Sequence, residues 1–171
     1  GKRVRFKKNA HNNNPDIEYM IFDKNKYDMN NFLKFLGSFI SDGWVDEGNK
    51  HRRIAISMTK LRKKTFIENA LNELNINYNM RSDRVLIGNN YKEVVDYFKK
   101  LSVGASNKYL PNFVWNLSQK QSIILLESLI QGDGHIDKNG CYSYCTSSKI
   151  LANDIQKLAL HCGWSGTIKL Y

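Results

Sequence analysis

The sequence is poor in cysteine. Its 171 residues hold three, Cys141, Cys145 and Cys162, and no CxxC pair. An odd count without paired spacing argues against a disulfide framework and fits free thiols in a reducing compartment. The distances along the chain to His135 and His161 follow no common zinc pattern. No run is long and apolar enough to cross a membrane, and the first residues lack the apolar stretch of a signal peptide. Together these absences give the expectation of a soluble, intracellular protein. Acidic side chains are also scarce, 16 against 26 Lys and Arg, which leaves a formal net charge of +10. Such an excess costs self-repulsion in the folded state. A polyanionic partner, nucleic acid above all, offsets it, because phosphate contacts release condensed counterions.

What is present is enough for a real core. Hydrophobic residues make up 42%, with 3 Trp, 9 Tyr and 8 Phe. That composition is globular, and the length suits one domain or two small fused units. The opening stretch, residues 1–30, reads as a basic arm or linker carrying Arg3, Arg5, Lys7 and Lys8. Beyond it the chain repeats itself. FLGSFISDGWVDEGNKHRRIAISMTKLRKKTFIENALNELNINYNM is echoed by LLESLIQGDGHIDKNGCYSYCTSSKILANDIQKLALHCGWSGTI. Each copy has an apolar helical run ending in Asp-Gly, then a loop, a short strand, an amphipathic helix and another strand. The helices rest on three-to-four spacing: Phe32, Leu33, Leu36, Phe39 and Ile40, then Leu125, Leu126, Leu129 and Ile130, with Ser118 as an N-cap. The strands rest on period two, as in Ile54, Ile56 and Met58 or Ile76, Tyr78 and Met80. RVLIG and the helix YKEVVDYFKKL complete the first unit. The second stops at Tyr171 without counterparts, so it is expected to be incomplete and the chain a fragment. The predicted fold is mixed α/β (α+β): two pseudo-symmetric αββαββα repeats, residues 31–117 and 118–171.

Small residues sit four apart on each Asp-Gly helix, Gly37 and Ser41 on one, Ser128 and Gly132 on the other. That spacing lets two helix backbones approach closely. If these faces pack, both C-terminal ends meet, and Asp42 and Asp133 lie side by side. An aspartate at a helix C-terminus opposes the dipole, and two together are worse. A hard divalent cation bound by carboxylate and carbonyl oxygens converts that cost into a site, one able to activate water against a phosphodiester. A single Asp-Gly is ordinarily just a helix stop. Here it recurs within a repeat, after matched small residues.

FLGSFISDG and LESLIQGDG resemble the paired signature motifs of the LAGLIDADG homing endonucleases. KYLPNFVWNLSQKQSIILLESLIQGDG and YCTSSKILANDIQKLALHCGW resemble the endonuclease domain carried by inteins. The resemblance covers about residues 31 to 171. It implies a metal-dependent endonuclease in which Asp42 and Asp133 hold Mg²⁺ (or Mn²⁺) near one scissile phosphate of each strand. It also implies antiparallel sheets forming a saddle over the major groove. A monomer would then bind a long, pseudo-palindromic DNA site and leave short 3′ overhangs. Family members often add a lysine near the metals. Lys108, in SNKYLPN, stands just before the second motif helix, and its alternative reading is a solvated loop charge. The acidic residue that the family's name spells two places before the last Asp is here Ile40 and Gln131. No nucleophile stands at Gly1 and no His-Asn pair closes the sequence, so a splicing domain of the same precursor would lie outside it.

Strand alternation nominates Arg53, Ser57, Thr59, Asn77, Asn79, Arg81 and Arg84 as the DNA-facing side, with Ser165, Thr167 and Lys169 in the second unit. For Tyr142, Tyr144 and Thr146 both faces stay open. The competing function is a DNA- or RNA-binding module on the same fold: a maturase, a regulator or a decayed nuclease. Two carboxylates set against phosphate favour the enzyme, since a pure binder gains nothing from them.

Overall fold

The computed structural model describes residues 12–48 and 51–169. The basic residues Arg3, Arg5, Lys7 and Lys8 lie outside that range. The first element is a hairpin, β1 (Tyr19–Phe22) and β2 (Asn25–Asp28), where the sequence suggested only linker. Met20, Phe22 and Tyr27 turn inward, and Asp23 takes a positive φ of 52° at the turn, a conformation that Asp tolerates. Phe22 meets Tyr97 edge to face with ring centroids 5.1 Å apart, which fastens the hairpin to the core.

The first repeat then runs as expected: α1 (Met29–Asp42), β3 (Gly43–Glu47), β4 (Arg52–Ser57), α2 (Leu61–Glu73), β5 (Asn79–Met80), β6 (Arg84–Ile87) and α3 (Lys92–Leu101). Asp28 caps α1 through Asn31 N. The strands form an antiparallel sheet in the order β3-β4-β6-β5. One face is apolar and buried under α1 and α3, through Val45, Ile54, Ile56, Val85 and Ile87. Phe98 of α3 packs on Phe35 and Phe39 of α1, each with a centroid separation of 4.6 Å. Residues 102–117 lead to the second repeat through short 3-10 turns.

The second repeat has α4 (Gln119–Asp133), β7 (Gly134–Ile136), β8 (Tyr142–Tyr144) and α5 (Lys149–His161). Ser118 and Ser148 cap the two helices. Here two expectations need correction. The strand expected after α5 is absent: residues 164–169 form no ladder, so Ser165, Thr167 and Lys169 are exposed on irregular chain. A strand needs a partner, and the backbone there bonds elsewhere, with Gly166 O accepting from Gln156 Nε2 and Trp164 N donating to Ala159 O. In the first repeat, the strand expected over Ile76 to Arg81 shrinks to Asn79–Met80, the two residues that pair with β6. Its alternation survives: Ile76, Tyr78 and Met80 pack inward while Asn77, Asn79 and Arg81 are exposed.

One hydrophobic core joins the repeats. Burial pushes the Cys162 thiol within it up to about 12. The stretch before the hairpin also bridges them. Asn12 Nδ2 donates to Leu117 O at 2.8 Å, Ile17 N to Gln121 Oε1 at 2.9 Å, and Gln121 Nε2 returns a bond to Ile17 O at 2.7 Å.

Candidate functional site

The two Asp-Gly helices pack against each other at their small residues. A Cβ added to Gly37 would come within 2.5 Å of Ser128 Cβ, and one added to Gly132 within 2.3 Å of Ser41 Cβ. All four predicted interface residues therefore meet in reciprocal pairs, glycine of one helix against serine of the other. Ser41 and Ser128 are buried, and each satisfies its hydroxyl on a carbonyl: Ser41 Oγ donates to Leu129 O at 3.2 Å, Ser128 Oγ to Ile124 O at 2.6 Å. Each helix ends at its aspartate, and the chain turns directly into a strand at Gly43 or Gly134. A Cβ at Gly43 would stand 2.4 Å from the Phe39 ring, so the exit is open only to glycine.

This packing brings Asp42 and Asp133 to one end of the helix pair. Asp42 Oδ2 points toward the partner helix, 3.5 Å from where a Cβ of Gly132 would sit. Asp133 is exposed on one side, but its carboxyl lies among the crowded helix ends. That partial desolvation, and then the negative charge of Asp42, raise its pKa above the ordinary aspartate value. Lys108 reaches the same place, its ammonium donating to the carbonyl of Ser41 at the last turn of α1. Burial lowers its pKa, and the charges of Asp133 and Asp42 work against that shift. The loop that carries it is held by the second repeat: Ser148 Oγ donates to Lys108 O at 2.7 Å and Leu110 N to Asp154 Oδ2 at 2.9 Å.

Two further side chains complete the site. Lys63, in the first turn of α2, forms an ion pair with Asp42, Nζ to Oδ2 at 2.6 Å, and both are largely buried. Tyr144 of β8 brings its hydroxyl to 3.3 Å from Ser41 Oγ, and burial raises its pKa. Sequence reasoning missed Lys63 and left the direction of Tyr144 open. One signal was available for the lysine. Arg62, Lys63 and Lys64 crowd a helix N-terminus, where the dipole disfavours cations.

Residues 120–170, which hold α4, Asp133 and α5, match the family model of the LAGLIDADG-like domain. Residues 120–170 are thus LAGLIDADG-like. LAGLIDADG domains bind DNA, and they serve homing endonucleases and maturases. Two relatives match most of the chain. One is an ATP-dependent Clp protease proteolytic subunit of Chlamydomonas moewusii, 32% identical over 196 residues, a match covering 99% of this chain and 19% of the relative. The other is a DNA-directed RNA polymerase subunit beta C-terminal section of Stigeoclonium helveticum, 26% identical over 192 residues, covering 86% of this chain and 17% of the relative. The chain thus spans less than a fifth of the length of these curated relatives.

In the first repeat, the sheet face opposite the core carries the residues nominated for DNA. Arg53, Thr59, Asn77, Asn79 and Arg81 are exposed, while Ser57 and Arg84 are half-buried neighbours across β4 and β6. Trp44 and Leu86 share this face, and the Arg84 guanidinium lies 5.7 Å from the Trp44 ring centroid. Two of the three arginines, Arg53 and Arg84, are engaged within the protein. Arg53 pairs with Asp46 at 3.0 Å and Arg84 with Asp83 at 2.7 Å. Lys169 does not join this face as a strand residue. It is exposed on the irregular segment after α5.

Proposed function

We propose that this domain is a site-specific double-stranded DNA endonuclease carried as an inserted element within a host protein. One observation bears most of the weight: two aspartates, from two halves of one chain, meet at the ends of close-packed helices beside two lysines. Fold stability gives no reason for such a meeting, since each carboxylate opposes its helix dipole and Asp42 raises the cost of ionising Asp133. Phosphodiester hydrolysis does give one.

The residues present fit a Mg²⁺ or Mn²⁺ ion. Mg²⁺ is commonly held by one or two carboxylates, with water and substrate phosphate filling the other positions. Asp42 and Asp133 are the ligands in this reading. When bound, the ion supplies Lewis-acid chemistry, activating water and stabilising the leaving oxygen. The chain's own residues do the rest. The glycine–serine contacts hold the two carboxylates in register. Lys108, partly desolvated and anchored on the Ser41 carbonyl, offers a cation to the charge that develops on phosphate. The arginine- and asparagine-bearing sheet face contacts DNA backbone and base edges. A monomer with two such halves would face a long, pseudo-palindromic site, one carboxylate to each strand.

The inserted-element part rests on the relatives. A protease subunit and a polymerase subunit, with unrelated names, share this segment over less than a fifth of their lengths. An element that moves between host genes would leave that pattern. A splicing domain in the same precursor belongs to this reading.

The test is cleavage of a plasmid carrying the host gene without the segment, in Mg²⁺. Wild type is expected to linearise it, and Asp42→Asn or Asp133→Asn to lower the rate by about a hundredfold or more. Binding to that DNA without cleavage by wild type would reject the enzyme and leave a binding module of the maturase type.

A further inference from the structure

We infer that Lys63 is a displaceable counter-ion of the metal site, holding Asp42 until a divalent cation takes its place. The inference rests on the endonuclease reading of Asp42 and Asp133.

Lys63 touches Asp42 through Oδ2 at 2.6 Å. That oxygen is the one turned toward Gly132, the neighbour of Asp133 on the partner helix. The ammonium therefore occupies the carboxylate oxygen that a cation serving both aspartates would need. Only 13% of the Lys63 side chain and 19% of the Asp42 side chain are exposed, so solvent screens the pair weakly.

The fold itself does not ask for a lysine there. Lys63 is the third residue of α2, after the cap position Lys60. The matching third residue of α5, after the cap Ser148, is Leu151, which is fully buried. In the second repeat this position packs the core; in the first it carries a charge. A cation in a helix's first turn also opposes the dipole. The remaining reason for Lys63 is its contact with Asp42. Among the described residues, Asp133 has no ion-pair partner of its own. The halves are thus chemically unequal at a matching helix position.

Two consequences follow. Metal-free protein keeps one of its two facing carboxylates compensated, which limits their mutual repulsion. Metal must compete with a tethered ammonium, so the site binds more weakly than its carboxylates alone would allow. A released ammonium, on a flexible four-carbon stem, is then a free cation beside the phosphate.

The experiment titrates Mn²⁺ into the metal-free full chain and follows free Mn²⁺ by electron paramagnetic resonance. Wild type, Lys63→Gln and Asp42→Asn are compared, with circular dichroism to establish folding. Lys63→Gln is expected to bind Mn²⁺ about five- to tenfold more tightly than wild type, and Asp42→Asn more weakly. Equal or weaker binding by Lys63→Gln, with Asp42→Asn still impaired, overturns displacement and leaves the metal site standing. Binding that is absent or indifferent to Asp42→Asn overturns both. Should Lys63→Gln not fold, Lys63→Arg decides. A forked guanidinium grips a carboxylate harder, so weaker Mn²⁺ binding is expected and tighter binding refutes the idea.

Discussion

Gly132 and Ser41 stand so close that a methyl group on the glycine would lie 2.3 Å from Ser41 Cβ and 2.4 Å from its Oγ. Ser41 is buried and bonded to Leu129 O, so it has no room to retreat. Gly132→Ala must therefore push the helices apart next to both aspartates. A loss of about 1–3 kcal/mol is expected in urea unfolding, the usual range for overpacking a tight core. Ser41→Gly in the same chain is expected to return part of it, because the two changes act on the same pair of facing residues. An alanine variant as stable as wild type would mean that the helices do not touch here.

Asp133 gives the metal-free protein a pH dependence. Its pKa is raised, by partial burial first and by Asp42 second, above the ordinary value of 3.8. The folded state therefore takes up a proton before the unfolded state as the pH falls. Ionised Asp133 costs stability at neutral pH. That cost shrinks as the pH falls through the raised value and is gone below the unfolded one. Asp133→Asn stays neutral throughout. In a chelator its melting temperature is expected to exceed that of wild type at pH 7, the gap closing by roughly pH 4. A gap that does not change with pH would assign the difference to something other than charge.

The arginines proposed to face DNA are expected to exchange partners on binding. Arg84 is held by Asp83 and Arg53 by Asp46, all four side chains about half exposed. Exposed pairs of this kind contribute little to stability, about 0–1 kcal/mol. Removing the acid should cost the fold little and free the cation for phosphate. Asp83→Asn and Asp46→Asn are each expected to tighten DNA binding in fluorescence anisotropy. Arg84→Ala and Arg53→Ala are expected to weaken it and to reduce the salt slope by about one for each phosphate no longer neutralised. Unchanged slopes would move the DNA to another face.

The paired helices were legible because their signals are local. Three-to-four spacing gives the buried stripe, and small residues four apart give the close approach. The doubled Asp-Gly gives the ends. The hairpin at residues 19–28 was passed over although its first strand, YMIF, is apolar, because its turn is made without glycine by an aspartate at positive φ. The strand expected after α5 failed for a different reason. Period two states which side chains could share a face, not whether a neighbouring strand exists to accept the backbone. Lys63 lies 21 residues from Asp42, and only the fold of α2 against α1 brings them together. Its unfavourable place at a helix N-terminus was the one clue in the sequence. Lys108 shows the converse: its loop has no helical or strand pattern, and the resemblance to known motifs carried it.

The stretch from Asn12 to Ile17 lies before the first repeat in the chain yet bonds to Leu117 and Gln121, on either side of the boundary between the repeats. The loop bearing Lys108 likewise leans on Ser148 and Asp154 of α5. Halves that look like interchangeable cassettes are therefore stitched across their seam. A chimera joined at residue 118 would exchange α4 and α5 but strand the partners of residues 12–17 and of the Lys108 loop. The unit that can be shuffled is discontinuous in the gene, and a recombined protein would need both pieces from the same parent.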